Sequence, residues 1–196
     1  SHIIIDFETA GKALGGVVLN VAFTHFDTDK IEDISEIVER SVYMKFNYME
    51  QEAPDFNYDQ EVLDWWAKQD IEVKREAFSI TDDCVLLKEF ATQFENYIRK
   101  HFKANKEFAI WSRGNSFDIV ILERIYEYLG LSVPYPFWMV RDTRTLVDTM
   151  NIISNVKPIQ GDIEGLNQDY IAHDSRHDIA KDVQQIQLVF NTLSQK

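Results

Sequence analysis

The chain has 196 residues, 45% of them hydrophobic and 13% aromatic, with a formal net charge of -13. This is a globular composition long enough for one domain over residues 1–196, and its acidity argues against sequence-blind clamping of a phosphate backbone, which needs many Lys and Arg. The single cysteine, Cys84, leaves no internal disulfide, and with no signal peptide and no apolar run of membrane-spanning length the expectation is a cytoplasmic protein without a membrane partner.

Ile3-Ile4-Ile5 are three β-branched residues in a row, the mark of a buried strand, and Asp6-Phe7-Glu8-Thr9 follow them. Gly11, Gly15 and Gly16 signal a turn. Val17 to Phe26 then predicts a second strand and Ile37 to Phe46 a third, giving an antiparallel opening. Residues 47–57 form a loop with Pro54 as a breaker, and Tyr58 to Lys74 predicts one helix, with Val62, Leu63 and Trp66 apolar at helical spacing. Thr81-Asp82-Asp83 starts a helix that occupies Val85 to His101. Phe108 to Ser112 is a short buried strand, and Phe117 to Gly130 a helix closed by glycine. Phe137 to Val140 predicts a strand and Thr143 to Ile152 a helix. Residues 153–172 carry no clear pattern, and the terminal helix covers Asp178 to Leu193. Strands first, then strands alternating with helices, imply an α/β fold: a mixed sheet with helices on both faces.

Asp6 and Glu8 are two apart on an extended chain and so project to one face. Such close like charges repel unless a cation sits between them, and hard carboxylate oxygens suit magnesium or manganese; the alternative is a strand that ends in a polar loop. Two further acids stand on apolar helical stripes. Asp118 heads a stripe of Leu122, Ile125 and Leu129, and Asp182 interrupts Ile179, Ile186, Val189 and Leu193. Burying an unpaired carboxylate costs several kcal/mol, so each needs a partner. A helix cap would explain Asp118, and an ion pair with Lys or Arg would explain Asp182. His177 lies five residues before Asp182, and an imidazole takes a proton from water near neutral pH. His173 stands at the same offset from Asp178, and His173 and His177 are four apart, as paired zinc ligands on a helix are. The interrupted stripe favours His177 with Asp182, leaving Asp178 as a solvated acid at the helix start. Trp65 and Trp66 are a candidate base-stacking pair or core, with Trp66 the more buried. Arg113 is a phosphate contact or a surface ion pair, Arg141 and Arg144 bind a backbone or balance acids, and Asp142 reads as a helix N-cap.

Asp6-Phe7-Glu8-Thr9-Ala10-Gly11, Ser116-Phe117-Asp118-Ile119-Val120-Ile121-Leu122 and His177-Asp178-Ile179-Ala180-Lys181-Asp182-Val183 resemble, in order, the three motifs of the DEDDh 3'-to-5' exonucleases. Glu61-Val62-Leu63-Asp64-Trp65-Trp66, Arg113-Gly114-Asn115, Phe137-Trp138 with Arg141-Asp142, and Ala172-His173-Asp174-Ser175-Arg176 resemble a bacteriophage branch of that family. One position departs: many members carry asparagine four residues before the second-motif aspartate, where this chain has Gly114.

The resemblance implies a ribonuclease H-like mixed sheet in the strand order 3-2-1-4-5, with the second strand antiparallel and helices flanking it. It implies two divalent cations, Mg2+ or Mn2+, held by Asp6, Glu8, Asp118 and Asp182, with His177 as general base. Phe7, Thr9, Trp65, Arg113 and Phe117 would meet the substrate. The implied activity is metal-dependent 3'-5' hydrolysis of single-stranded DNA to nucleoside 5'-monophosphates. Alternatives are an exoribonuclease or short-oligonucleotide nuclease on the same scaffold and, outside enzymes, an acidic DNA mimic, which has no use for acids on apolar stripes.

Overall fold

The computed structural model describes residues 1–51, 53–102, 108–154 and 170–194. Its centre is β1 (His2–Thr9). On one side β1 pairs antiparallel with β2 (Val18–Phe26), whose outer edge takes β3 (Val42–Lys45), also antiparallel. On its other side β1 pairs parallel with β4 (Ala109–Ser112), which pairs parallel with β5 (Val140–Asp142). The resulting sheet has the order β3-β2-β1-β4-β5.

Alternation along β1 divides the protein. Ile3, Ile5 and Phe7 enter one core, and Ile4 the other. The first core lies under α4 (Leu87–His101) and α5 (Asp118–Tyr128), where Phe90 and Phe94 pack edge-on to Phe23. The second lies under α1 (Ile34–Arg40) and α7 (Ser175–Ser194), with Ile179, Val183 and Ile186 facing Ile4 and Ala22. Asp6 and Glu8 alternate in phase with Ile4 and so project on the α7 side, beyond the apolar part of the strand. The chain leaves β1 through a tight turn in which Ala10 N–H donates to Val17 O at 2.8 Å. There a Cβ on Gly11 would lie 2.4 Å from the Asn57 carbonyl oxygen, so only glycine permits the approach.

Several element boundaries differ from the sequence expectation, among them the start of α4, which lies at Leu87 behind an N-cap at Leu86 and not at Thr81-Asp82-Asp83. Ile37 to Phe46 is not one strand: Ile34 and Ile37 are buried as a helical i, i+3 pair, so the segment opens with α1 and only Val42–Lys45 joins the sheet. The helix expected over Tyr58 to Lys74 divides into α2 (Gln60–Trp66) and α3 (Ile71–Phe78), because Asp59 and Asp70 each cap a separate N-terminus through their side chains. Phe137–Met139 is a 3-10 turn feeding the short β5. The terminal helix starts at Ser175, three residues earlier than expected, with Asp174 accepting from the Arg176 N–H at 3.0 Å. Asp142 does cap its helix, α6 (Thr143–Ser154), accepting from Thr145 N–H at 2.7 Å. The segment 153–172 falls mostly outside the described residues. Among the described residues no helix is long and apolar enough to cross a membrane.

Candidate active site

The C-terminal end of β1, the N-terminus of α5 and the first two turns of α7 enclose an open cleft of about 970 Å³. Asp6 and Glu8 reach it from the strand. Asp118, 2% exposed at the start of α5, accepts a hydrogen bond from the Phe7 N–H at 3.1 Å. Its carboxylate therefore ties α5 to the central strand instead of capping its own helix.

The α7 wall differs from the sequence expectation. Asp182 lines the cleft but forms an ion pair with Arg113, Nε to Oδ1 at 2.6 Å, and Arg113 also donates to Gln185. The ion-pair alternative raised for Asp182 is thus what the structure contains, and Arg113 is committed to it. Asp178 is not a solvated helix-start acid. It is half-buried, lines the same cleft, and accepts hydrogen bonds from the Tyr170 hydroxyl and from the His173 N–H at 3.1 Å. One ligand atom from each of Glu8, His173 and Asp178 lies within 4.8 Å of the others.

The two histidines part in the same way. Starting α7 at Ser175 puts His177 inside its first turn, where its ring meets Tyr170 edge-on at 6.5 Å; it is not among the residues that line the cleft. His173 precedes the helix and lines the cleft. Its φ of 65° is uncommon for a non-glycine residue, and such conformations gather at functional sites. The Trp65 ring holds it edge-on at 4.7 Å. Trp65 is in turn set by its neighbour: Trp66, 2% exposed, donates its indole N–H to the Thr9 carbonyl at 2.8 Å, which anchors α2 to the end of β1 and leaves Trp65 38% exposed over the cleft.

The remaining expected contacts are mixed. The Phe7 side chain is not available to a substrate: it is 3% exposed and packs edge-on against Phe90 at 5.7 Å, so only its main chain borders the site. Thr9 is 5% exposed and its hydroxyl donates to the Gly11 carbonyl at 2.7 Å. Phe117, 36% exposed, and Arg144 at the start of α6 both line the cleft. Of the cleft residues, His173 and Asp178 were weighed in the sequence and set behind His177 and Asp182, and Tyr170 was not singled out. A usable signal was present: Asp174-Ser175 is a strong N-cap pair, and starting the helix there brings His173 and Asp178 to the site.

The electrostatics of the cluster are unfavourable without a cation. Burial and the neighbouring charges of Asp118, Glu8 and Asp178 push the Asp6 carboxyl well above the usual range. Glu8 is raised for the same reasons, by burial first and then by Asp178 and Asp118. Asp118 is pushed up to about 8 by burial, against the Phe7 hydrogen bond that favours its ionised form. Asp182 rises to about 6 through burial, with Arg113 holding it down. Asp178 is raised by burial and restrained by the Tyr170 hydrogen bond. Converging hard oxygen donors that cannot all ionise alone are suited to Mg2+ or Mn2+.

Residues 1–187 match the family model of the 3'-5' exoribonuclease Rv2179c-like domain. The exodeoxyribonuclease of Enterobacteria phage T4 is 29% identical over 198 residues, an alignment covering 92% of this chain and 85% of that protein. Among solved structures, the cell-death related nuclease CRN-4 superposes with a TM-score of 0.62 at 16% identity, covering 97% of this chain; the chain spans 63% of that one's length. The nuclease domain of 3'hExo, a DEDDh family member bound to rAMP, gives 0.58 at 13% identity, covering 98% and 91% of the two chains. The two superpositions agree on the fold, a five-stranded ribonuclease H-like sheet. With its family model matched over nearly the whole length, the chain belongs to the 3'-5' exoribonuclease Rv2179c-like domain family and is a 3'-5' exonuclease.

Proposed function

We propose that the protein removes nucleotides from the 3' end of single-stranded DNA as nucleoside 5'-monophosphates, and that Asp6, Glu8, Asp118 and Asp178 hold two divalent cations while His173 serves as the general base. The observation that carries this reading is the convergence of Glu8, His173 and Asp178 within 4.8 Å beside two more buried carboxylates. It replaces Asp182 and His177 by the residues one helical turn nearer the start of α7, since Asp182 has Arg113 for a partner and His177 faces Tyr170.

Bound Mg2+ or Mn2+ would supply positive charge to the attacking and leaving oxygens of the scissile phosphodiester. The protein's own groups do the rest. His173 takes the proton from the attacking water, and its ring is kept aimed into the cleft by Trp65 and by its left-handed main chain. Tyr170 and the His173 N–H orient the Asp178 carboxylate through hydrogen bonds. Trp65 and Phe117, the half-exposed aromatics of the cleft, bracket the terminal base, and the Thr9 main chain lies at its floor.

The phage relative's name favours DNA and the family's name favours RNA. Digestion of 5'-labelled single-stranded DNA and RNA of equal sequence, with magnesium, manganese or chelator, decides between them. The reading requires stepwise shortening from the 3' end of DNA, faster than of RNA and abolished by chelation. Cleavage that persists in chelator, or that starts at the 5' end, would overturn it.

A further inference from the structure

At the base of β5 the 3-10 turn exposes two aromatic rings side by side: Phe137 is 79% and Trp138 61% exposed, with ring centroids 5.2 Å apart at 84°. Burying such side chains would stabilise the fold by roughly 1.5–3 kcal/mol each, so packing does not explain why both stand in water. Arg141 is bound into the same turn. Its guanidinium donates to the Trp138 carbonyl at 2.6 Å and to the Val140 carbonyl at 2.9 Å, which sets a fixed positive charge beside the rings. β5 then runs from this turn toward the cleft, where Arg144 lines the mouth. Three strand residues span about 10 Å, the rise of about three stacked nucleotides at ~3.4 Å each.

We infer that Phe137, Trp138 and Arg141 form a second binding surface for the single strand, upstream of the 3' end held in the cleft. This rests on the exonuclease reading and extends it. Bases stack on the two rings without regard to sequence, and Arg141 and Arg144 meet successive phosphates between the rings and the site. The charge argues for nucleic acid over a second copy of the chain. In a chain of net charge -13, cations flank this apolar spot, and a two-fold contact would set Arg141 close to its own mate. A strand reaching both places also suits an enzyme that must keep hold of a shortening polymer.

The test compares a thymidine dodecamer and its uridine counterpart with the corresponding dinucleotides, using wild type and the double variant Phe137→Ala/Trp138→Ala. The dodecamer KM should rise roughly tenfold more than the dinucleotide KM, with kcat little changed. Arg141→Gln should raise the same ratio by a smaller factor and make it less sensitive to salt. Equal changes on long and short substrates, or none on either, would overturn the inference. So would sedimentation showing a wild-type dimer that the double variant loses, because the rings would then be an interface between copies. Anisotropy of labelled dodecamer bound to the metal-free protein separates this surface from the catalytic reading. Ring-dependent binding to the metal-free protein, with no turnover once magnesium or manganese is restored, would leave the surface standing and remove the exonuclease mechanism.

Discussion

The strand wall and the helix wall of the cleft hold their acids by different means. On the strand side, β1 is paired on both edges, and the two-residue period alone aims Asp6 and Glu8 at one face. On the helix side, Asp178 and Asp182 are four apart on α7 and share a face, so backbone geometry does not choose between them. Their partners choose. Asp182 already has a guanidinium at 2.6 Å, whereas Asp178 has a phenol hydroxyl and a main-chain N–H, which orient a carboxylate without neutralising it. On the proposed reading, a cation entering the cleft gains Asp178 directly, whereas to gain Asp182 it would have to displace Arg113.

The sharpest way to break this contrast is to remove each acid in turn. Asp178→Asn should abolish measurable turnover, a loss beyond the roughly 10–100-fold typical of residues that only orient a metal ligand, while the metal-free protein stays as stable as wild type or more so. Asp182→Asn should instead leave Arg113 without its carboxylate. Arg113 is partly exposed, which discounts the cost of a broken buried pair to about 1–3 kcal/mol of stability, seen in urea unfolding, with most turnover retained. The opposite pattern, a stable but inactive Asp182→Asn protein, would restore Asp182 to the metal shell.

The histidines give the next largest effect. His173→Ala should lower kcat about a hundredfold with little change in the magnesium concentration that half-saturates the enzyme, and added imidazole should return part of the rate. His177→Ala should leave kcat near the wild-type value. A His173→Ala enzyme whose metal requirement rises steeply, and which imidazole does not rescue, would make His173 a ligand beside Glu8 and Asp178.

This difference between the walls also explains what the sequence revealed. The strand order came with the family resemblance, whereas β1 and its acids Asp6 and Glu8 were legible in the chain itself, because a buried run of β-branched residues followed by two acids two apart marks a strand end with both carboxylates on one face. The placement of Asp118 was legible because an acid at the head of an apolar stripe requires a partner. On α7 the same rule pointed at Asp182, which lines the cleft, and the partner it demanded is Arg113, 69 residues away in sequence. What brings Asp178 and His173 to the cleft is where the helix begins and which tertiary partners surround it. The split of Tyr58 to Lys74 into two helices was hidden similarly, because Asp59 and Asp70 act as caps only once the chain has turned between them.

The strand wall makes a prediction of its own. Asp6 and Glu8 stand well above the usual carboxylate range and Asp118 at about 8, so the folded metal-free protein takes up protons at a higher pH than the unfolded chain does. Stability then rises as pH falls: the cost of ionising Asp118 is relieved as pH drops through about 8 toward the unfolded value near 4, and Asp6 and Glu8, also raised, act in the same direction. Melting curves in chelator should climb over that window. Magnesium at a hundred times its dissociation constant should add about 2.7 kcal/mol at pH 8 and flatten the climb. A chelated protein that melts lower as pH falls from 8 to 6 would show that the acids are matched by cations of the protein itself.

The smallest effect concerns the loop that joins the two walls. Gly114 lies between Arg113, which reaches α7, and Asp118, which reaches β1. Its φ is 107°, and a Cβ built there meets nothing within 4 Å. Space is thus no obstacle to a side chain, and only the backbone conformation is. Gly114→Ala should cost about 1 kcal/mol of stability through that strain alone. Gly114→Asn should cost somewhat less, since asparagine tolerates positive φ better, and the two variants should differ little in kcat. A loss of turnover larger than the loss of stability would mean that this loop must move with Arg113 during the reaction, and that the Arg113–Asp182 pair opens when substrate binds.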